Sequence, residues 1–523
     1  MQKIPERSLT FTLKPDDCEA LVAQLGKAGA HWTAETKVLS LYLDTLDSAI
    51  GKLGFGYGIR RRGDVTLNDT QEALRRFARG LAGQSGWTTF RHALSVAAPP
   101  DARELQGLLR SPGTRSRLNV VFQSEAKRSF WSVSTGRGEA NLTLEQSGIV
   151  NGGKTRLASL TLTYPIDLAA AALTFIAEIG KLIPLRLTGE ALALEAYRHA
   201  GRRDVAVPNA ITPRLMRTMS TAAAFQTIAY AALDHFLLAQ VRVRFLRDVE
   251  GVHQARVALR RFSAAWRLFS ALVEGSDGAT LKEDLSKIKD ALRTARDLDV
   301  LLGDVATLAA DDPALPTTPV RHLLEARRER AYDALIAALN ASETDGLLLR
   351  LVTWIEAGDW TRDAARAPDR VEPFATFVQR KFSKLIQKFQ RRCEALEQAS
   401  YRERHRTRIR AKNLRYGVEF LDHLVRLADG KGLRRQYRAL IGALKHMQSF
   451  LGEENDVLMA HAYFAGLGQD EDPVAADAAT ATAGATLAAR LSPSGKHKFH
   501  KTVAKARREL FDVKPFWLDL AEN

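Results

Sequence analysis

The first part of the chain alternates between polar and apolar positions, as short β-strands do. Residues 8–13, S-L-T-F-T-L, place hydroxyl and apolar side chains on opposite faces of an extended segment, so one buried and one polar face are expected. A helix is expected next, capped by Asp16 or Asp17, with Leu21, Val22 and Leu25 on its apolar side. Further strands are predicted over residues 38–45, 55–62, 87–93, 129–134, 142–145 and 156–165. With helices after residue 167 and over residues 190–199, this order predicts an antiparallel β-domain over residues 1–204.

The second part of the chain follows a helical period. Residues 205–214, V-A-V-P-N-A-I-T-P-R, have no period and contain two prolines, which predicts a linker. From Leu215 onward apolar positions recur at helical spacing, so we expect an all-α domain over residues 215–517. Proline-containing breaks are expected at residues 311–319 and near residues 367–373, and two helical repeats are expected at about residues 215–370 and 371–517. The predicted fold class is therefore multi-domain α+β.

One helical pattern occurs twice in this second part. Aligning His253 with His405 also aligns Arg256 with Arg408 and Arg260 with Lys412. Offsets of three and seven residues lie on one face of a helix, so each copy predicts a basic stripe, extended by Arg267 in the first and Arg415 in the second. The apolar positions between them predict packing surfaces; they are Val257, Leu259, Phe262, Trp266 and Phe269 in the first copy, and Ile409, Leu414, Val418, Phe420 and Leu421 in the second.

Each copy is followed by a related segment. The first is K-I-K-D-A-L-R-T-A-R-D-L-D-V-L (residues 287–301), and the second is L-K-H-M-Q-S-F-L-G-E-E-N-D-V-L (residues 444–458). Each half therefore predicts a helical hairpin. Two further helices repeat the basic spacing of 0, 3, 7 and 10, with Lys381, Lys384, Lys388 and Arg391 on one and Lys498, Lys501, Lys505 and Arg508 on the other.

Two interpretations of these stripes are open. A single charged stripe is usually a solvated helix face. However, like charges at helical spacing repel one another, and neither stripe contains an interleaved Glu, so an anionic ligand would relieve the repulsion. Each of the two histidines is interpreted as a helix-packing or capping residue in preference to a catalytic residue. A metal site is disfavoured, because an arginine one turn away would repel a cation.

Composition agrees with an anionic partner. The 523 residues allow two or three domains, and the net charge of +16 favours polyphosphate, nucleic acid or an anionic membrane surface. Cys18 and Cys393 are too few for a disulfide framework, which suits a reducing cytoplasm. No apolar leader and no run of about 18 apolar residues is evident, so membrane insertion is not expected.

The repeated motifs resemble those of the CHAD family, named for histidines in an α-helical domain. The matching segments are V-H-x-x-R-V-x-x-R-R (252–261), R-D-L-D-V-L (296–301), H-x-x-R-I-x-x-K-x-L-R-Y (405–416) and L-G-x-x-N-D (451–456). The resemblance covers roughly residues 215–515. It implies two helical bundles related by pseudo-twofold symmetry, with a basic central surface that binds inorganic polyphosphate. Ser263 departs from the family, which often has an Arg there.

The first domain resembles, more loosely, the CYTH family. The matching segments are Y-L-D-T (42–45), I-R-R-R-G-D (59–64), W-T-T-F-R (87–91) and R-S-F-W (128–131). This resemblance implies an eight-stranded, barrel-like β-tunnel that hydrolyses triphosphate or cyclises ATP with a divalent metal. Residues 65–86 would be an insertion between two family strands, with a short basic helix at residues 73–81.

The family's charged positions are largely lost in this chain. They fall on Glu6, Ser8 and Thr10 and on Ser159, Thr161 and Thr163, so five of six are hydroxyls. Because Mg²⁺ requires carboxylates to hold it against water, we expect a catalytically silent module. Arg60, Arg62, Arg91 and Arg128 are left either to bind phosphate without metal or to lie on the surface of a degraded scaffold.

The sequence therefore predicts a protein that binds inorganic polyphosphate on basic helix faces lining a central channel, without a cofactor or metal. The candidate phosphate-binding residues are His253, Arg256, Arg260, Arg261, Arg267, Lys289, Arg293, Arg296, Lys381, Lys384, Lys388, His405, Arg408, Lys412, Arg415, Lys445, Lys501 and Lys505. Location at polyphosphate granules in a bacterial cytoplasm is implied by the CHAD resemblance. The alternatives are a metal-dependent inorganic triphosphatase or polyphosphatase, and a nucleic-acid-binding protein. Weak nucleic-acid binding and homo-oligomerisation stay open.

Overall fold

The computed structural model describes residues 6–63, 87–93, 102–115, 117–150, 154–202, 211–428, 431–467, 477–491 and 496–522. By its internal contacts the chain divides into two compact units. The first comprises Met1–Ile211, Asp234–Val241 and Asn340–Asp359, and the second comprises Thr212–Leu233, Arg242–Leu339 and Trp360–Asn523. The insertion expected over residues 65–86, with its helix, and most of the expected linker lie outside the described residues.

Eight strands of the first unit form one antiparallel sheet in the order β4-β3-β2-β5-β6-β7-β1-β8. They are β1 (Glu6–Leu13), β2 (Ala30–Asp44), β3 (Phe55–Arg62), β4 (Thr88–Ala93), β5 (Asn119–Ser134), β6 (Glu139–Val150), β7 (Lys154–Pro165) and β8 (Arg186–Thr188). This confirms the predicted antiparallel β-domain and is consistent with a CYTH-like tunnel fold. Strands β2, β5 and β6 are longer than predicted, because polar residues on their solvent-facing positions interrupt the apolar alternation. The three-residue β8 was too short to show a period.

Helices occupy most of the chain after the sheet. They are α1 (Cys18–Lys27), α2 (Ala49–Lys52), α3 (Ala102–Arg110), α4 (Pro112–Arg115), α5 (Ala169–Leu182), α6 (Leu192–His199), α7 (Thr221–Leu246), α8 (Val249–Leu268), α9 (Ser270–Val273), α10 (Ser276–Asp311), α11 (Thr317–Asn340), α12 (Ser342–Ala357), α13 (Ala367–Val371), α14 (Phe374–Glu394), α15 (Tyr401–Phe420), α16 (Asp422–Leu427), α17 (Lys431–Ala465), α18 (Ala478–Arg490), α19 (Lys496–Phe511) and α20 (Phe516–Glu522). Helix α12 belongs to the first unit. The predicted all-α region after the sheet is confirmed.

Helix α1 differs in detail from the prediction. Leu21 and Leu25 are buried, but Val22 is 42% exposed and Cys18 takes its place on the buried face. The spacing is compatible with the difference, since residues 18, 21 and 25 share one helix face and residue 22 lies at its edge. Asp17 occupies the N-cap position, but its side chain makes no capping hydrogen bond.

One end of the sheet's polar face is closed by an aromatic cluster. Tyr42 of β2 stacks on Phe122 of β5 with ring centroids 4.3 Å apart, and Phe90 of β4 meets the edge of Tyr42 at 5.0 Å. Tyr197 of α6 packs edge-on against Phe122 at 5.2 Å. The side chains of helix α6 therefore complete an apolar cluster at this end of the polar face.

The second unit contains the duplicated hairpin that the sequence predicts. Helix α8 packs against α10, α15 packs against α17, and α8 also packs against α15. The long partners, α10 and α17, have 36 and 35 residues. The first predicted break is found, since α10 ends at Asp311 and α11 begins at Thr317. The second contains the short helix α13, because Pro368 is at the start of that helix, where proline is tolerated, and the chain breaks after Val371 instead. The helices that carry the two copies of the motif thus pack against each other.

Helix α7 was overlooked as an apolar segment. Among the described residues it is long and apolar enough to cross a membrane by length and composition alone, with a mean hydropathy of 1.2 over its best window. That window is 72% buried inside the structure, which is typical of a core helix.

Candidate anion-binding cavity

Many cationic side chains line a cavity of about 1280 Å³ within the second unit. Helices α8, α10, α11, α15 and α17 line this space, which we call the basic cavity. Among the described residues nine cationic side chains line it, namely Arg256, Arg260, Arg267, Arg293, Arg296, Arg327, Arg330, Arg408 and Lys412. His253 and His405 lie on its wall as well.

Helix periodicity explains why the two stripes meet. On α8 the buried residues Ala255, Leu259 and Phe262 face the core, which leaves Arg256 and Arg260 on the cavity side. Helix α15 repeats this arrangement with Arg408 and Lys412. Because α8 and α15 pack against each other, the structure brings the two stripes onto one cavity.

Burial and mutual repulsion raise the energy of these charges. Burial, followed by the charge of Arg260, lowers the pKa of the Arg256 guanidinium to about 10. Burial, with Arg260 and Arg408 nearby, lowers the pKa of the Lys412 amine to about 7. Neither Arg256 nor Lys412 forms a salt bridge with a described carboxylate. The cavity therefore holds uncompensated positive charge.

The two histidines are not arranged as metal ligands. Burial, followed by the charge of Arg296, lowers the pKa of His253. The ring of His405 lies 6.4 Å from the ring of Tyr401. Among the described residues no group of three or more His, Cys, Asp and Glu side chains is placed to hold a metal ion.

Three carboxylates also line the basic cavity, and the sequence prediction did not assign them a place there. They are Asp297 and Asp304 of α10 and Asp456 of α17. Burial raises the pKa of Asp297 and of Asp304, in the second case with added repulsion from Asp456. Nine cations against three carboxylates leave the lining strongly positive.

Arg408 is held by the second copy of the tail motif. Its Nη2 donates to Asp456 Oδ1 at 3.3 Å. A Cβ at Gly452, one turn before Asp456, would lie 3.3 Å from the Arg408 guanidinium, so only glycine leaves the full space for it. The Gly and Asp of L-G-x-x-N-D thus position this arginine.

Several candidate residues lie away from the basic cavity. Arg261 is near Glu419 at 3.9 Å, and Arg415 pairs with the same carboxylate at 2.6 Å. Lys289 is half-buried, and its pKa is lowered by burial and by Arg267. The exposed lysines are Lys384, Lys445 and Lys505, the last of these 4.0 Å from Glu509. The side chain of Lys501 lies outside the part of the chain that the structure describes.

A second, smaller cavity of about 490 Å³ lies between α8, α14 and α15. We call it the apolar slot, because Ala264, Leu268, Phe382, Leu385, Phe389, Ile409 and Leu414 line it. Five cations surround this apolar surface, namely Arg267, Lys381, Lys388, Arg406 and Arg410. Arg267, Ile409 and Asn413 line both cavities. Ile409 was expected to pack in the interior, but it is 44% exposed.

Sequence reasoning missed two arginines of the basic cavity. Arg327 and Arg330 of α11 lie in the segment E-A-R-R-E-R. Because glutamates are interleaved with its arginines, the sequence of this segment does not show a purely basic stripe. Arg327 donates to the Tyr463 hydroxyl at 2.8 Å. Their helix carries no copy of the repeated motif, so only the packing of α11 against the cavity reveals them.

The first unit has paired hydroxyls at the positions to which the CYTH resemblance assigns charged groups. Ser8 lies opposite Thr163 and Thr10 opposite Thr161 in the pairing of β1 with β7. The hydroxyls of each pair are within hydrogen-bond distance, at 2.9 Å and 3.2 Å. Because these oxygens satisfy one another and carry no charge, the residues at these positions do not fit a divalent metal ion.

The arginines of this sheet are divided between its faces. The strand registers place Arg60, Arg62 and Arg128 on the face that carries the hydroxyls, and Arg91 on the opposite face. Arg128 donates to Glu145 at 2.7 Å, and the Arg60 guanidinium lies 5.6 Å from the centre of the Phe90 ring. Arg128 is thus already paired within the sheet.

Comparison with known proteins covers mainly the helical part. The sequence model of the CHAD domain matches residues 227–465. A crystal structure of the CHAD domain from the plant Ricinus communis is 26% identical, with a TM-score of 0.49, and the match covers 59% of this chain and 98% of that one. A putative adenylyl cyclase from Hippeastrum, reported to have a dominant triphosphatase activity, is 13% identical with a TM-score of 0.22, covering 38% of this chain and 97% of that one. No curated protein matches the chain. Residues 227–465, which contain both copies of the histidine motif and most of the basic cavity's walls, match the CHAD domain.

Proposed function

We propose that the second unit binds inorganic polyphosphate in the basic cavity. The observation that carries this proposal is the excess of nine cations over three carboxylates around one space of about 1280 Å³. A linear chain of phosphates would bring one negative charge to each arginine fork and relieve the repulsion that lowers the pKa of Arg256 and Lys412.

The cavity chemistry favours a polyanion without bases. Tyr463 is the one Phe, Tyr or Trp among the described residues that line the basic cavity, and its hydroxyl is engaged by Arg327. Proteins that bind single-stranded nucleic acid generally offer several aromatic platforms for stacking. Nucleic acid is therefore the weaker candidate.

Isothermal titration with long-chain polyphosphate tests the proposal, with single-stranded DNA as competitor. Tight binding of polyphosphate that DNA does not displace is the expected result. DNA that binds as tightly as polyphosphate would favour the nucleic-acid alternative, and absence of polyphosphate binding would refute the proposal.

Two further parts of the proposal concern the whole protein. The first unit is proposed to be catalytically silent, because paired hydroxyls stand where metal-binding carboxylates are needed. The protein is proposed to associate with polyphosphate granules in the cytoplasm through the basic cavity. A fluorescent fusion that stays diffuse in granule-containing cells, with the binding activity intact, would contradict this location.

A further inference from the structure

The apolar slot combines two features that a polyphosphate chain does not need. Its floor contains the buried side chains of Leu268, Phe382 and Phe389, and the half-buried Leu385 completes it. Inorganic polyphosphate has no apolar atoms, so it gains nothing from this surface. A ligand that buries hydrocarbon does gain from it, and 490 Å³ lies within the size range of small-molecule sites.

The rim of the slot is purely basic. Among the described residues that line it, none is acidic, and Lys388, Arg406 and Arg410 form no salt bridge with a described carboxylate. Burial, followed by repulsion from Arg392, lowers the pKa of Arg410, and burial also lowers the pKa of Lys381. After burial, the next cause in each case is repulsion from neighbouring cations, Arg392 for Arg410 and Arg380 for Lys381.

We propose that the apolar slot binds a single-chain alkyl phosphate monoester. Its hydrocarbon chain lies on Leu385, Phe389 and Ile409, and its phosphate lies among the cations that line the slot. The slot is a concave space between three helices, so it accepts one chain of a soluble amphiphile rather than the surface of a bilayer. A phosphate at Arg267 would also lie at the wall that the slot shares with the basic cavity.

Titration of the full-length protein with hexyl, octyl and decyl phosphate, below the concentration at which they form micelles, tests this site. Affinity should rise by up to about fourfold for each added methylene that the slot buries. Inorganic phosphate and octyltrimethylammonium should bind far more weakly, since the first has no hydrocarbon chain and the second has no phosphate. Equal affinity for the three chain lengths, or for the cationic amphiphile, would overturn the proposal.

Matched variants locate the binding. Lys388→Glu should weaken octyl phosphate binding by about tenfold or more, whereas Lys384→Glu, an exposed lysine one turn away on α14, should not. Leu385→Gln should weaken it as well, whereas Leu427→Gln, at a residue 61% exposed and outside both cavities, should not. Loss of binding in the control variants together with the test variants would contradict the assigned site.

The inference and the polyphosphate proposal can fail separately. Arg256 lines only the basic cavity, so Arg256→Glu should reduce polyphosphate affinity and leave octyl phosphate affinity unchanged. If this variant abolishes octyl phosphate binding, the amphiphile occupies the basic cavity and the slot has no ligand of its own. Binding to vesicles of anionic phospholipid without binding of monomeric octyl phosphate would also overturn the inference, since it indicates a membrane surface instead.

Discussion

Arg408 Nη2 and Asp456 Oδ1 lie 3.3 Å apart and join the two helices of the second histidine-motif hairpin. Asp456 is partly solvated, with a side chain 58% exposed, whereas Arg408 is only 18% exposed. A phosphate that binds Arg408 must therefore compete with a carboxylate already in place. The family motif supplies both the cation and an internal anion that holds it when no ligand is bound.

Replacing this carboxylate should strengthen polyphosphate binding. Asp456→Asn keeps the side-chain shape but removes the competing charge, and we expect affinity to rise by about two- to fivefold, the range typical of a partly exposed ion pair. Titration of the variant with long-chain polyphosphate measures the change. Asp512→Asn, at an exposed aspartate that does not line the cavity, is the matched control and should leave affinity unchanged. Weaker polyphosphate binding by Asp456→Asn would mean that Asp456 contributes more to binding by positioning Arg408 than it costs by repelling the phosphates.

Reversing a charge in either stripe should have the opposite effect. Arg256→Glu and Arg408→Glu each place an anion in the lining of the basic cavity, and each should lower polyphosphate affinity by roughly 30-fold or more. Lys384→Glu makes the same change in net charge, but at an exposed position outside the basic cavity, and should change polyphosphate affinity little. Intact affinity in either arginine variant would show that its stripe is only a solvated face.

Binding should also depend on pH through Lys412. With a pKa of about 7 in the free protein, this amine is largely neutral at pH 8.5, and a bound phosphate must restore its proton. Polyphosphate affinity should therefore be constant well below pH 7, where the free amine is already protonated, and fall as pH rises through 7 to 9, with proton uptake on binding. Lys412→Met should flatten the profile, whereas Lys445→Met, at an exposed lysine, should not. If the pH profile of affinity is the same in Lys412→Met as in the unchanged protein, the Lys412 amine is not the source of the pH dependence.

The same group links pH to the stability of the free protein. Its pKa is lowered on folding from the usual value of about 10.4, so the unfolded chain binds more protons between pH 7 and 10. The contribution of Lys412 to the free energy of unfolding should therefore increase as pH rises through this window and be lost as pH falls through 7. Bound polyphosphate should abolish this pH dependence of the free energy of unfolding, because it restores the proton of Lys412.

The paired hydroxyls of the first unit lead to a prediction about catalysis. Purified protein should release no phosphate from triphosphate or ATP with Mg²⁺ or Mn²⁺, because Ser8 and Thr10 bond to Thr163 and Thr161 instead of a metal. A phosphate-release assay provides the measurement. Metal-dependent turnover that disappears on changing Glu6 would show that the sheet retains an active site.

The sequence was sufficient to predict the elements that carry a period. The strand alternation, the duplicated hairpin and the two basic stripes follow from residue spacing, and α8 and α15 bring Arg256 and Arg408 to one cavity as expected from the duplication. Arg327 and Arg330 could not be predicted, because Glu325 and Glu329 interrupt their stripe and only tertiary packing places α11 at the wall. Likewise, periodicity cannot show that Arg261 lies near Glu419, because the two residues are on different helices. The Arg415–Glu419 pair, by contrast, follows from its spacing of four residues on one helix.

The salt dependence of binding distinguishes one continuous site from scattered contacts. Each phosphate neutralised by Lys or Arg releases condensed counter-ions, so log K should fall with log salt at a slope of roughly −0.7 per contact, as for single strands. With nine cations lining the basic cavity, about eight phosphates could be engaged, which predicts a slope of roughly −5 to −6. Triphosphate can make only about three contacts, so its slope should be nearer −2 and its binding much weaker. Isothermal titrations of both ligands at several salt concentrations measure the two slopes. Equal slopes would mean that the stripes act separately, because a long chain that engaged both α8 and α15 must release more counter-ions than a short one.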